Sequence, residues 1–315
     1  MKEFFSNPVV STTIKVFISF ALLAGLLYYL DGNAIVESFR NANPYYLSIG
    51  LSLAIFQLVI HFYRWRYLLR LVSKEISNKE TFTSFFVGFM AGFFTPAQLG
   101  EFAGRIASHP NVKKSHIIAI TVVDKLYWTA VTVLIGGTGL AMFISTYYVD
   151  VWNPWYRYLI TLLMAVIIVI FLFPEKIKEL LIQLPSKIRK HRFYEMVELI
   201  ENVFHNKNAW VLSSLTLFLY IIILLEYYFL ANAFGYVSLT DALVCVASVF
   251  FVKAIMLPIS FGDLGVREST AVFFFQTMGL SSAIAFNASI IMSFANVIVP
   301  TAIGALLVLK LKRKK

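Results

Sequence analysis

The sequence predicts an all-α, polytopic membrane protein with about six full transmembrane helices and two broken re-entrant hairpins in inverted-topology repeats. Three observations carry this. Hydrophobic residues make up 59% of the 315 and charged residues only 14%, against roughly 25% charged in a soluble globular chain. Apolar runs recur at about 20 residues, the length a helix needs to cross the hydrocarbon core. Two shorter apolar runs break at the same arrangement of proline, glycine, acid and arginine.

The full-length runs are 13–30, 45–63, 117–143, 157–173, 209–231 and 283–309. Residues 14–30, with Lys2 and Lys15 at their start, resemble the apolar core of a signal peptide. They are long for one, and no small-residue cleavage site precedes Asp31, so a retained helix is expected. Two other runs are short. Residues 82–95 lead into Thr95-Pro96-Ala97-Gln98-Leu99-Gly100-Glu101, and residues 242–257 into Pro258-Ile259-Ser260-Phe261-Gly262-Asp263.

Loop charge orients these runs. Segment 64–80 carries Arg64, Arg66, Arg70, Lys74 and Lys79. Segment 174–208 carries Lys176, Lys178, Lys187, Arg189, Lys190, Arg192 and Lys207, and the tail carries Lys310, Lys312, Arg313, Lys314 and Lys315. Connections 31–44 and 144–157 hold one basic residue each, Arg40 and Arg157, and 232–241 holds none. The positive-inside rule places the first three segments in the cytoplasm and the last three outside. That is consistent only if 82–116 enters and leaves from the inside and 242–280 from the outside. The expected result is one integral domain over 1–315 in the cell membrane, with both termini cytoplasmic. Inverted repeats cover about 45–143 and 209–309. Segment 174–208 is a cytosolic amphipathic connector, lying on the inner leaflet or packed on the cytosolic helix ends.

The repeat rests on a motif. Pro96, Gly100, Glu101 and Arg105 recur as Pro258, Gly262, Asp263 and Arg267, and a glycine precedes each arginine, at Gly104 and Gly265. Broken helices of this kind meet near the midplane of many transporters. Their freed backbone groups are tolerated only against protein or a wet cavity. Helices restarting after Gly100 and Gly262 would turn their N-termini toward anions. Arg105 and Arg267 suit bidentate phosphate binding. Glu101 shares a helix face with Arg105, and Asp263 with Arg267, beside Glu268. These acids would hold the arginines or meet a cationic head group; the plainer reading is self-neutralising pairs at helix ends.

Charges within apolar runs are costly and point to function. Lys253 needs an acid or phosphate partner, in the pathway or as a buried ion pair. Asp124 and Lys125 read as a structural pair near the interface or as part of the site. Glu226 is compatible with an outer-interface position. His61-Phe62-Tyr63-Arg64-Trp65-Arg66-Tyr67 reads as an interfacial belt or as head-group capture by Arg64 and Arg66. Tyr147, Tyr148, Trp152, Trp155 and Tyr156 read as an outer belt.

Other chemistry is not expected. Cys245 is the one cysteine, and five scattered histidines show no metal-ligand spacing, so no metal or cofactor is called for. There is no nucleophile elbow, zincin motif or phosphate-binding glycine loop, which argues against an enzyme. The net charge of +10 lies between apolar runs and at the ends, a membrane-face pattern and not a nucleic-acid surface.

The chain resembles the transmembrane region of lysylphosphatidylglycerol synthases, a flippase-like family. The resemblance rests on Arg64-Trp65-Arg66-Tyr67-Leu68-Leu69, on Pro96 through Glu101 with Arg105, on Asp124-Lys125, and on Pro258 through Glu268. The family tends to have Glu-Arg where Asp124-Lys125 stands, and often a second glycine where Asp263 stands. The resemblance implies movement between leaflets of an anionic or aminoacylated phospholipid or a polyprenyl-linked lipid. It does not imply lysine transfer, since no counterpart of the fused synthase domain is recognised. The alternative is a membrane anchor or regulatory partner of a separate lipid- or glycan-modifying enzyme. Oligomeric state is not encoded in these patterns.

Overall fold

A computed structural model describes residues 32–95, 98–148, 162, 207–255 and 265–312. All regular structure among them is helical. The expected spans 13–30 and 157–173 and nearly all of the connector 174–208 lie outside the described residues, as do Pro96, Pro258, Gly262 and Asp263.

The helices are α1 (Gly32–Arg40), α2 (Pro44–Val72), α3 (Asn78–Phe93) and α4 (Gly100–Ala107). Helix α5 starts as Lys114–Val131, passes through a π-helical turn at Thr132–Gly136, and continues as Gly137–Tyr147. Then come α6 (Lys207–Phe234), α7 (Leu239–Ile255) and α8 (Val266–Thr277). Helix α9 starts as Ser282–Ser293, makes a π turn at Phe294–Ile298, and ends as Val299–Lys312. The order long, short, short, long-with-π-turn therefore occurs twice, as α2–α5 and as α6–α9.

Local chemistry sets the starts. Asn43 accepts from the Tyr45 N–H at 3.0 Å, and Pro44 occupies the first helical position of α2, where its missing N–H costs nothing. Ser77 and Glu80 form a capping box on α3. Before α8, Gly265 takes φ +85°, a conformation open to glycine.

Four described helices are long and apolar enough to cross a membrane: Pro44–Val72, Lys114–Tyr147, Asn208–Phe234 and Ser282–Lys310. They coincide with four of the expected spans. Their outward faces are apolar. On α2, Leu51, Ile55, Phe56 and Val59 are exposed along one stripe, and on α6 Leu217, Phe218 and Ile221 are. This inverts the soluble pattern: lipid-facing positions are greasy, and polar groups such as Gln57, Arg64 and Glu226 face inward.

One expectation is corrected. Residues 64–72 are not loop. Helix α2 runs on to Val72, and Arg64, Trp65, Leu68 and Leu69 are buried. The reason is pairing: Arg64 meets Asp124 inside the bundle, so its charge is neutralised there rather than held at the membrane face. Glu226, compatible by sequence with an interface, is also fully buried in α6.

The two halves interlock. Helices α2 and α6 pack along each other, with Gly50 against Leu230. The first arm of each short pair then packs on the closing helix of the other half: α3 on the end of α9, and α7 on α5. Glycines permit both approaches. A side chain at Gly304 would sit 2.8 Å from Met90 Cβ, and one at Gly136 2.8 Å from the Ala247 carbonyl. Gly137, by contrast, has ordinary room, 3.4 Å from the Phe251 ring. Gly136→Ala is expected to destabilise by about 1–3 kcal/mol, whereas Gly137→Ala is expected to be neutral or stabilising. Thermal unfolding of the two variants in detergent, side by side, checks this.

Candidate functional site

A cavity of about 160 Å³ lies between the two halves, lined from α2 through α9 and from the α3–α4 break. Gln57 and Asn296, both on its wall, fall at mid-length of Pro44–Val72 and Ser282–Lys310. At 1.5 Å per residue, the middle of such a helix is about 20 Å from either end. Charged groups around such a cavity are costly unless neutralised within the protein.

The first half does this with a five-membered network. Asp124, on α5, accepts from Arg64 Nε at 3.0 Å and from Arg105 Nη2 at 3.0 Å, and pairs with Arg64 Nη2 as well. Arg64 Nη2 also donates to the Asp124 carbonyl at 2.9 Å. Glu101 pairs with Arg105 one turn along α4 and with Lys125 from α5. Lys125 Nζ further donates to Gln98 Oε1 at 2.7 Å. Three cations thus meet two carboxylates, and helices α2, α4 and α5 are tied together through them. The Arg105 guanidinium lies 3.7 Å over the Trp65 ring, whose Nε1 donates to Ser84 Oγ at 2.7 Å. Gly88, on α3, leaves the space that the Arg105 stem occupies.

The second half contributes cations. Arg267 and Lys253 both line the cavity and flank the Phe250 ring, at 5.6 and 5.3 Å from its centre. Around the whole cavity, Arg64, Lys125, Lys253 and Arg267 stand with Glu101 and Asp124 among the described residues.

Of the residues singled out in the sequence, those six come together at one cavity. Others do not reach it. Arg105 is fully buried behind the wall, held by Glu101, Asp124 and Trp65, so it supports the two acids rather than facing the cavity. Arg66 lies on α2 away from the lining. Glu268 is also buried, and its oxygens accept from the Gly265 N–H at 2.7 Å and from Ser293 Oγ at 2.5 Å; it caps α8. Asp124 and Lys125 do not pair with each other but take separate partners. The Gly100 N–H donates to Thr95 Oγ1 at 2.6 Å. With the Gly265 N–H held by Glu268, these two N–H groups at the helix restarts are satisfied internally and are not anion donors.

The sequence reading missed Gln57, Asn296 and Thr301 and gave His61 and Gln98 no role of their own within their motifs, yet all five line the cavity. Each is a polar residue within or beside an apolar run, and that intrusion was the available signal. Gln98 has φ +56°, an uncommon conformation for a side chain that is not glycine, and it turns its amide toward Lys125.

Asp124 is the member whose loss should matter most for stability. Asp124→Asn leaves buried Arg64 without a carboxylate and Arg105 with Glu101 alone, and breaking such a buried pair costs about 3–5 kcal/mol. Lys125 is a third exposed, so Lys125→Gln should cost much less. Denaturation of both variants in detergent gives the comparison, and equal losses would contradict this assignment.

Comparison with known proteins agrees with this architecture. The chain is similar to the UPF0104 membrane protein MJ1595 of Methanocaldococcus jannaschii, with 22% identity across 97% of this chain and 96% of that protein. The family described as the lysylphosphatidylglycerol synthase TM region matches residues 14–304. That match spans the interlocked helices and every cavity-lining residue named above, and the chain belongs to this family of multi-pass membrane proteins.

Proposed function

We propose that the protein is a lipid translocase, and not an enzyme, which moves an anionic lipid head group between leaflets through this cavity. The carrying observation is that arginines from both halves, Arg64 and Arg267, line one cavity between the long helices. Several donors there lack a protein acceptor among the described residues: Arg64 Nη1, and Nε and Nη1 of Arg267. A buried unpaired donor costs about 1–3 kcal/mol. A phosphate in the cavity supplies acceptors to both arginines. The name of the family refers to a phospholipid, which accords with a lipid as cargo.

In this reading Arg267 and Arg64 hold the phosphate from the two halves. Lys125 and Lys253 add charge, Glu101 and Asp124 fix the cations when the site is empty, and Arg105 holds those acids. Asp263 lies outside the described residues, and its role beside Arg267 remains the expectation from the repeat. The repeated element order and the crossed packing of α3 and α7 support inverted repeats with two re-entrant hairpins, the arrangement by which one half rocks against the other. The cell membrane, with both termini in the cytoplasm, remains the expected setting.

Proteoliposomes carrying a head-group-labelled anionic phospholipid test the proposal. Wild type should move the lipid, Arg267→Gln should slow it at least about tenfold, and Lys74→Gln, at an exposed turn, should leave it unchanged. No movement of any lipid by folded wild type would overturn the proposal. A non-transporting partner of a separate lipid- or glycan-modifying enzyme would then be the better account.

A further inference from the structure

Glu226 plays no part in the phosphate reading. It is fully buried on α6, one turn along from Ile223, which lines the cavity. Both of its carboxylate oxygens accept from a single group, Asn296 Nδ2, at 2.8 and 3.0 Å. Among the described residues it makes no ion pair. The acids of the first half are held differently: Asp124 and Glu101 each meet two cations. The contrast follows the repeat. The chain spacing that carries Arg105 to Arg267 also carries Arg64 to Glu226, so α6 buries an acid where α2 buries a cation. An ionised carboxylate buried without a cation is very costly, and such a group takes up a proton instead.

Asn296 shows where that proton goes. Its Oδ1 is buried without a partner. An amide oxygen only accepts, and an ionised carboxylate has nothing to donate. With the acid ionised, Nδ2 is shared between two oxygens and Oδ1 is stranded. A protonated carboxyl has one O–H donor and an oxygen that still accepts. It donates to Oδ1 and accepts from Nδ2, closing a ring of two hydrogen bonds that satisfies both side chains. The stranded oxygen beside a buried acid marks the place of one proton.

The surroundings set what the proton does. The helices packed on α6 are α2, α5, α7 and α9. Around the cavity they bring His61 and Arg64 from α2, Asp124 and Lys125 from α5, and Lys253 from α7, while α9 brings no charged group; α8 adds Arg267. Arg64, Asp124 and Lys125 belong to the first-half network, and Lys253 has a partner of its own. Away from the cavity, Cys245 of α7 lies against Tyr227, and Glu268 of α8 is held by Gly265 and Ser293. Arg267 is the cation whose charge reaches Glu226. An ionised Glu226 offsets part of the charge that Arg267 presents to an anion, and a protonated Glu226 does not. Proton and anion therefore strengthen each other's binding, by the same factor in both directions. We propose that Glu226 and Asn296 form a proton-binding site, coupled through Arg267 to the cavity, so that an anionic ligand binds together with a proton. This rests on the reading of the cavity as an anion site and adds the ion that accompanies the cargo.

Calorimetry of dihexanoyl phosphatidylglycerol binding to the purified full chain in detergent, in buffers of different ionisation heat, tests the inference. This phosphodiester keeps its charge through the neutral range, so pH acts on the protein. Wild type should take up as much as one proton per lipid bound. Its affinity should fall about tenfold from mildly acid to mildly alkaline pH, an ordinary coupling between two sites. Glu226→Gln should take up no proton and hold the acid-side affinity throughout. The glutamine amide makes the same ring with Asn296, so this variant should fold, and at alkaline pH it should unfold at a higher temperature than wild type. His61→Gln should keep the proton uptake, which separates Glu226 from the cavity histidine. Wild-type binding without proton uptake, uptake that persists in Glu226→Gln, or uptake lost in His61→Gln would overturn the proton site and leave the cavity reading standing. No binding by folded wild type would overturn both. Proton-linked binding without lipid movement in vesicles would uphold the proton site and overturn translocation.

Discussion

Asp124 stands between two arginines that reach it from different helices, and the first half of the bundle is arranged around that contact. A lone carboxylate among membrane helices is costly to bury. Two arginines on one carboxylate leave charge over, and Glu101 takes up part of it while also meeting Lys125. The result is not neutral. An odd cation remains in this half, and Arg267 and Lys253 from the other half face the same cavity. A structure built only for stability would have little use for buried donors without acceptors, because buried ion pairs are often replaceable by apolar packing with no loss. The unpartnered donors of Arg64 and Arg267 are therefore the feature that calls for a ligand.

The backbone serves the same end. Both long closing helices contain a π turn, at Thr132–Gly136 and Phe294–Ile298, and glycines near or within those turns admit a helix from the other half. The interlock makes a single packed unit of two similar halves. It also delivers Asn296 and Thr301 to the cavity with polar atoms unsatisfied. Packing and chemistry meet here: the irregular backbone of the second π turn borders the cavity through Asn296 and Val297.

Much of this was legible in the sequence, for physical reasons. Span length follows from bilayer thickness, so 45–63, 117–143, 209–231 and 283–309 fell on long helices. Buried charge is rare enough that Glu101, Asp124, Lys125, Lys253 and Arg267 stood out. The errors share a cause. Arg64 beside Trp65 and Tyr67 has the composition of an interface, and only the position of Asp124, sixty residues away, shows that it is buried. The repeat suggested that Arg105 and Arg267 are equivalent, yet Arg105 is enclosed by partners from three helices while Arg267 lines the cavity. Glu268 looked like a site acid because its second partner, Ser293 from another helix, is invisible in the local sequence. The uncharged wall was overlooked because one glutamine, one asparagine or one threonine in an apolar run is ordinary until all three share a surface.

The central claim is that a polar cavity at the middle of the long helices opens to water and to head groups. Cysteine accessibility tests it most directly. In a Cys245→Ser background, Gln57→Cys and Val297→Cys place thiols on the cavity wall, and Ile55→Cys places one on the outward apolar face. The account predicts that a small, charged, membrane-impermeant thiol reagent modifies the first two in intact membranes and that an anionic short-chain phospholipid slows this, while Ile55→Cys stays unreactive. Wall cysteines as inert as Ile55→Cys, in protein shown to be folded, would mean that the cavity is sealed and would contradict the account.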